Sequence, residues 1–166
     1  GGSPRAVTVA FAPNATATFS GATLAMIGIS TASTTVTNQG SGTYALSLES
    51  GTLNASYYAM RNLNADGLHL RGLTTVTSLS YGDLELAVSG GSLITLASST
   101  LNANASISIA GMRFATTTAI TGANVELVGT TPSAWTFTGH TGNLAGEAYD
   151  VDGGDACGSV RWSNSI

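Results

Sequence analysis

Apolar and polar residues alternate through most of the chain. The runs ATATFS, LAMIGIS, TTVT, YALSLES, SYYAM, GLHLRG, TTVTSLS, DLELAVS, SLITLAS, ASISIAG, MRFA, NVELVG and AWTFTG set apolar side chains at every second position. A period of two is what a strand with one buried face requires. Gly, Asn or Ser-Gly breaks the pattern after about ten residues each time, a spacing of strands and turns. No segment carries the three-to-four spacing of an amphipathic helix. The pattern predicts an all-β chain.

The spacing of the runs narrows the architecture. One set of expected inward residues is Ala17, Val36, Tyr57, Val76, Leu96, Thr117 and Phe137. A second is Ile27, Leu46, Leu68, Leu86, Ile107 and Leu127. Within each set the next member lies about 20 residues on, the mark of a repeat architecture. Each repeat is then one coil of a parallel β-helix, a solenoid whose stacked coils share a continuous core. A β-sandwich is the alternative, because paired up-and-down strands repeat at a similar interval. Small residues that stack on like neighbours, and few Asn-Gly or Gly-Asn hairpin signals, favour the solenoid. The expected division is solenoid coils over 1–138 and a C-terminal capping segment over 139–166. Both tryptophans lie late, Trp135 just before that last segment and Trp162 within it, with Phe137 and Tyr149 between them. Bulky rings suit a cap, since the last coil otherwise exposes its core and its strand edge.

Composition removes several functions. Only 8% of residues are charged, the net charge is −4, and the five basic residues are all arginine: Arg5, Arg61, Arg71, Arg113 and Arg161. A nucleic-acid partner needs clustered cations to displace counterions, and none cluster. An anionic membrane surface is disfavoured for the same reason. No apolar run approaches the roughly 20 residues of a membrane span, so no membrane insertion is expected. Disorder is excluded by the 43% of hydrophobic residues and their regular placement. One cysteine allows no internal disulfide. Ser, Thr, Asn and Gly supply the polar surface, a composition of extracellular or cell-surface β proteins. The opening GGSPRAVTVAFAP lacks the basic start and long apolar core of a signal peptide and reads as the cut edge of a longer chain.

The stretch YALSLESGTLNASYYAMRNLNADGLHLRG, Tyr44 to Gly72, resembles coils of right-handed parallel β-helix proteins of the pectin-lyase-like superfamily, of bacterial secreted or cell-surface type. The likeness lies in a strand, an Asn-rich bend and a DGLxLxG-like strand, here NLNADGLHLRG from Asn62 to Gly72. Asn suits such a bend because it tolerates left-handed backbone. In style the resemblance extends to Gly129. It implies the fold, and it implies that polysaccharide lyase or hydrolase chemistry be looked for.

Cleavage of a glycosidic bond needs converging carboxylates. The mid-chain acids are Glu49, Asp66, Asp83, Glu85 and Glu126, and Asp66, His69 and Arg71 are neighbours in sequence. His69 and Arg71 alternate with Leu68 and Leu70 and should face outward as solvated decoration. Thr-x-Thr recurs from Thr16, Thr35, Thr75, Thr116 and Thr136, which on one face would form a ladder like that of ice-binding solenoids. Asn-x-Ser/Thr acceptors stand at Asn14, Asn54 and Asn104. His69 and His140 are too far apart in sequence to signal a metal pair. In DVDGGD, Asp150, Asp152 and Asp155 offer oxygens on a Gly-permitted turn and are the expected ligands if calcium binds. The twelve-residue calcium-loop pattern is not completed there. Cys157 has no His or second Cys nearby and is expected to be buried and inert.

The expected role is therefore non-enzymatic: a structural or adhesive domain that self-associates through strand edges or coil ends. RAVTVAFAP at the N-terminus is the candidate for strand addition to a neighbour. Glycan binding or cleavage is the alternative, and ice binding the second.

Overall fold

In the computed structural model, residues 5–117, 119–152 and 158–163 are described. Their strands are β1 (Val7–Phe11), β2 (Thr16–Phe19), β3 (Ala22–Ile27), β4 (Thr34–Asn38), β5 (Tyr44–Met60) and β6 (Leu63–Leu86), followed by β7 (Ser92–Ala97). A short helix α1 (Ser98–Ala103) precedes β8 (Ser108–Ala110), β9 (Arg113–Thr116), β10 (Ala123–Val128), β11 (Trp135–Thr138) and β12 (Val160–Ser163). Every pairing between these strands is parallel. A sandwich of hairpins cannot give that pattern. The chain is a β-solenoid of about six turns.

Three faces rise side by side. Face one stacks β1, β4, the ends of β5 and β6, and β9. Face two stacks β2, the start of β5, the Leu68–Leu70 part of β6, β7 and β10. Face three stacks β3, the middle of β5 and the middle of β6, then resumes beyond α1 as β8, β11 and β12. β5 and β6 are long because each runs round corners without leaving the ladder. Past Thr138 the chain keeps to the same path: Thr141 bridges to Arg113, Val151 to Glu126, and β12 pairs with β11.

The inward columns explain the alternation. On face two, Ala17 lies under Leu46, Leu46 under Leu68, Leu68 under Ile94, and Ile94 under Val125. On face one, Val9, Val36, Met60, Leu84 and Phe114 form the equivalent column. Like shapes stack, so each coil covers the apolar face of the next. Tyr58, Phe114, Trp135 and Phe137 fill the widest parts of this core.

Coil length departs from the expected 20 residues. Partners are 19 positions apart at Tyr44↔Leu63 but 31 apart at Ser92↔Ala123. The two series read from the sequence therefore change face as they climb: Ala17 is on face two, Val36 on face one and Val76 on face three. Ile27, taken as inward, points out over Ser56 and is 54% exposed. Tyr57 is not inward either but turns a corner. Alternation fixes which side chains point in, yet a slip of two residues preserves it, so pitch cannot be read that way.

The corner from face three to face one shows how the turn is made. Tyr57, Tyr81, Gly111 and Gly139 occupy it in successive coils, with φ of 50°, 56°, 65° and 56°. Left-handed backbone suits glycine and costs other residues roughly 1–2 kcal/mol. The two tyrosines offset that cost by stacking outside the coil, with centroids 4.6 Å apart and planes 3° from parallel. A Cβ at Gly111 would stand 2.6 Å from the Tyr81 ring, so only glycine fits there.

Helix α1 displaces the strand that face three would need above Thr74 and Val76. Asn104, 7% exposed, fills the gap: Val76 N–H donates to its Oδ1 at 2.7 Å, and its Nδ2 donates to the carbonyls of Thr74 and Thr100. The side-chain amide thus takes the place of a missing peptide group. Its own carbonyl accepts from Trp135 Nε1 at 3.0 Å.

Candidate functional site

The polar residues of face two form a band that crosses the coils. Thr18, Ser47, His69, Thr95 and Glu126 occupy one outward column. At its lower end a hollow of about 190 Å³ is walled by Glu49, Asp66, His69 and Arg71, with Thr16, Thr18, Ser47 and Asn64 around them. Asp66, His69 and Arg71 therefore do share a site, and Glu49 joins them from the coil before.

Hydrogen bonds fix this hollow. Arg71 approaches Glu49 Oε1 at 3.3 Å, and Ser47 Oγ donates to the same oxygen at 2.9 Å. Asn64 Nδ2 donates to Asp66 Oδ2 at 3.2 Å. Asn64 Oδ1 and Thr95 Oγ1 are buried without a partner. His69 is held below its ordinary pKa, first by burial and next by the charge of Arg71, against the opposing pull of Asp66, Glu49 and Glu126. Its imidazole is neutral at pH 7 and carries one donor and one acceptor.

Further up, Ser92 Oγ donates to Glu126 Oε2 at 2.7 Å at the rim of a second hollow, of about 380 Å³. Gly90, Gly91, Gly122 and Tyr149 are among the residues that line it. Tyr149 also walls a third hollow, of about 310 Å³, with Thr116, Ile120 and Asn143. Tyr149 is 41% exposed, so a ring stands between two hollows.

The other mid-chain acids lie elsewhere. Asp83 and Glu85 are on face one, where Asp83 holds Arg61 at 2.6 Å through Oδ2 and Arg113 at 2.7 Å through Oδ1. Arg61 also donates to the Asp83 carbonyl at 2.7 Å and lies 3.9 Å from Glu85. Glu85 and Glu126 are thus on different faces and do not converge. The sequence signal for the Arg61–Asp83–Arg113 cluster is faint, because its members become neighbours only at the true coil length.

The threonine pairs do not share a face. Thr16 and Thr18 are on face two, Thr35 and Thr116 on face one, and Thr75 and Thr136 on face three. Of the acceptor asparagines, Asn14 is exposed in a turn, Asn54 is half-buried within β5, and Asn104 is buried and bonded. His69 and His140 do not meet: His140 packs edge-on against Trp162 at 5.0 Å, with Nδ1 buried and unpartnered.

At the far end Asp150 Oδ2 accepts from Trp162 Nε1 at 2.6 Å, and Asp152 Oδ2 accepts from Val160 N–H at 3.0 Å. Both carboxylates hold β12 in place. Burial, together with the charges of Glu147 and Asp152, raises the Asp150 pKa to about 6 despite the bond from Trp162. Asp155 and Cys157 lie outside the described residues. Among the described residues, no group of three His, Cys, Asp or Glu side chains is arranged to hold a metal ion. No helix among them is long and apolar enough to cross a membrane.

Comparison with protein-family models, with curated proteins and with solved structures finds no match.

Proposed function

We propose that the chain is a non-enzymatic structural or adhesive module of a secreted or cell-surface protein, a rigid self-associating rod of the bacterial pectin-lyase-like kind. The observation that carries this reading is the use made of the acidic side chains. Glu49 with Arg71, Asp83 with Arg61 and Arg113, and Glu126 with Ser92 each tie one coil to another. Carboxylates spent on cross-coil ties serve stiffness; an acid–base pair would need them free to reach a scissile bond.

Glycan binding is the second reading. It is favoured by Tyr149 between two hollows, with Glu126 at the rim of one, since an aromatic ring beside polar groups suits a sugar. Displaying the chain on cells that lack other adhesins tests the first reading. Attachment to bare or glycan-coated surfaces is expected to rise. No rise, or release of reducing or unsaturated sugar ends by the purified chain, overturns it.

A further inference from the structure

Two of the five tyrosines stand apart from the rest. Tyr57 and Tyr81 share a register on adjacent coils, between the pairs Ser56↔Ser80 and Tyr58↔Gly82. Their rings lie outside the corner, stacked 4.6 Å apart and 3° from parallel. Tyr81 is 48% exposed and Tyr57 partly so. Tyr44 and Tyr58 are buried, and Tyr44 stacks on Phe11. No ring contact among the described residues joins Tyr149 to another tyrosine.

The corner limits this stack to two rings. Gly28 follows Ile27, the partner of Ser56, and so holds the position below Tyr57, while Gly111 holds the one above Tyr81. Neither glycine carries a ring, so each phenol has one phenol neighbour in the column. The fold does not need rings there, since glycine makes the same turn at Gly111 and Gly139. Two phenols are thus held side by side, at a backbone cost glycine would spare, on the outside of the core.

We propose that Tyr57 and Tyr81 are a modification site, coupled into a dityrosine staple between coils by a one-electron oxidant of the haem peroxidase and hydrogen peroxide class. Each phenol gives up one electron and its hydroxyl proton. The two phenoxyl radicals join through ring carbons ortho to the oxygens. Each of those carbons then loses its hydrogen as a proton, and each oxygen regains one. Overall one carbon–carbon bond replaces two carbon–hydrogen bonds, and the two electrons and two protons released reduce one peroxide to two waters. The rings must tilt to bring the ortho carbons together, and exposed side chains make such moves within nanoseconds. Held in register, the pair couples in a unimolecular step. The staple ties β5 to β6 and closes a loop in the unfolded chain, which favours the folded state. It goes beyond the function proposed above, and its failure leaves the attachment assay free to succeed.

The purified chain, treated with a haem peroxidase and limiting hydrogen peroxide over a range of chain concentrations, decides the matter. The expected product is a single chain lighter by two hydrogen atoms, with dityrosine fluorescence and a yield that does not change on dilution. Peptide mapping by mass spectrometry is expected to find Tyr57 joined to Tyr81, and the linked chain is expected to melt at a higher temperature than the free one. Tyr57→Phe and Tyr81→Phe each keep a ring in the stack and are expected to lose the product with an unchanged circular dichroism spectrum. Should either variant unfold, the peptide map of the unmodified chain decides alone. Links between chains, a yield that falls on dilution, or a link through Tyr149 overturns the proposal. So does hydroxylated tyrosine in place of a link, or a linked chain that melts no higher.

Discussion

Asn104 takes the place of a strand residue that α1 has pushed aside, and it serves one backbone N–H and two carbonyls. Asn104→Ala leaves the Val76 amide and the Thr74 carbonyl buried without partners. A cost of roughly 2–6 kcal/mol follows, since each orphaned group costs about 1–3 kcal/mol. Urea denaturation of the variant measures it. Asp150 calls for a different experiment. Its folded pKa of about 6 lies above its ordinary value of 3.8, so the folded state favours the protonated acid. Its contribution is therefore fully present below pH 4, is lost as pH rises to about 6, and is constant above that. Asp150→Asn keeps an acceptor for Trp162 without the charge. Melting temperatures of variant and unmodified chain are expected to converge near pH 4, with the variant the more stable above pH 6.

At the level of strands, the tie between Asp83 and its two arginines joins the ends of β5 and β6 to β9. All three side chains are partly exposed, so Asp83→Asn is expected to cost only about 1 kcal/mol, and less in high salt. A melting series with rising sodium chloride checks this: the gap between variant and unmodified chain should narrow. Existence and direction of the strands were legible in the sequence, because alternation such as LHLRG around His69 states directly which residues point out. Which strand lies above which was not. Ser47, His69 and Thr95 share a column, yet they are separated by unequal lengths of chain, since bends and α1 absorb different numbers of residues. The same inequality scattered the Thr-x-Thr pairs over three faces. Asp66, His69 and Arg71 could be grouped from sequence because all three lie on one stretch of β6, whereas Glu49 reaches them only through the fold.

For the molecule as a whole, β5 and β6 each visit all three faces and lie at the centre of the stack. Strand pairing joins each coil to its neighbours, and Tyr58 reaches one coil further to Met112, so stability is shared along the axis. Helix α1 adds an asymmetry of another kind. Faces one and two carry their backbone ladders past it through β9 and β10, while on face three the ladder is split into separate sheets. Under load such a rod does not flex equally in all directions. It yields by opening face three at the helix, with the two unbroken faces as the leaf of the hinge and the Asn104 amide as the catch.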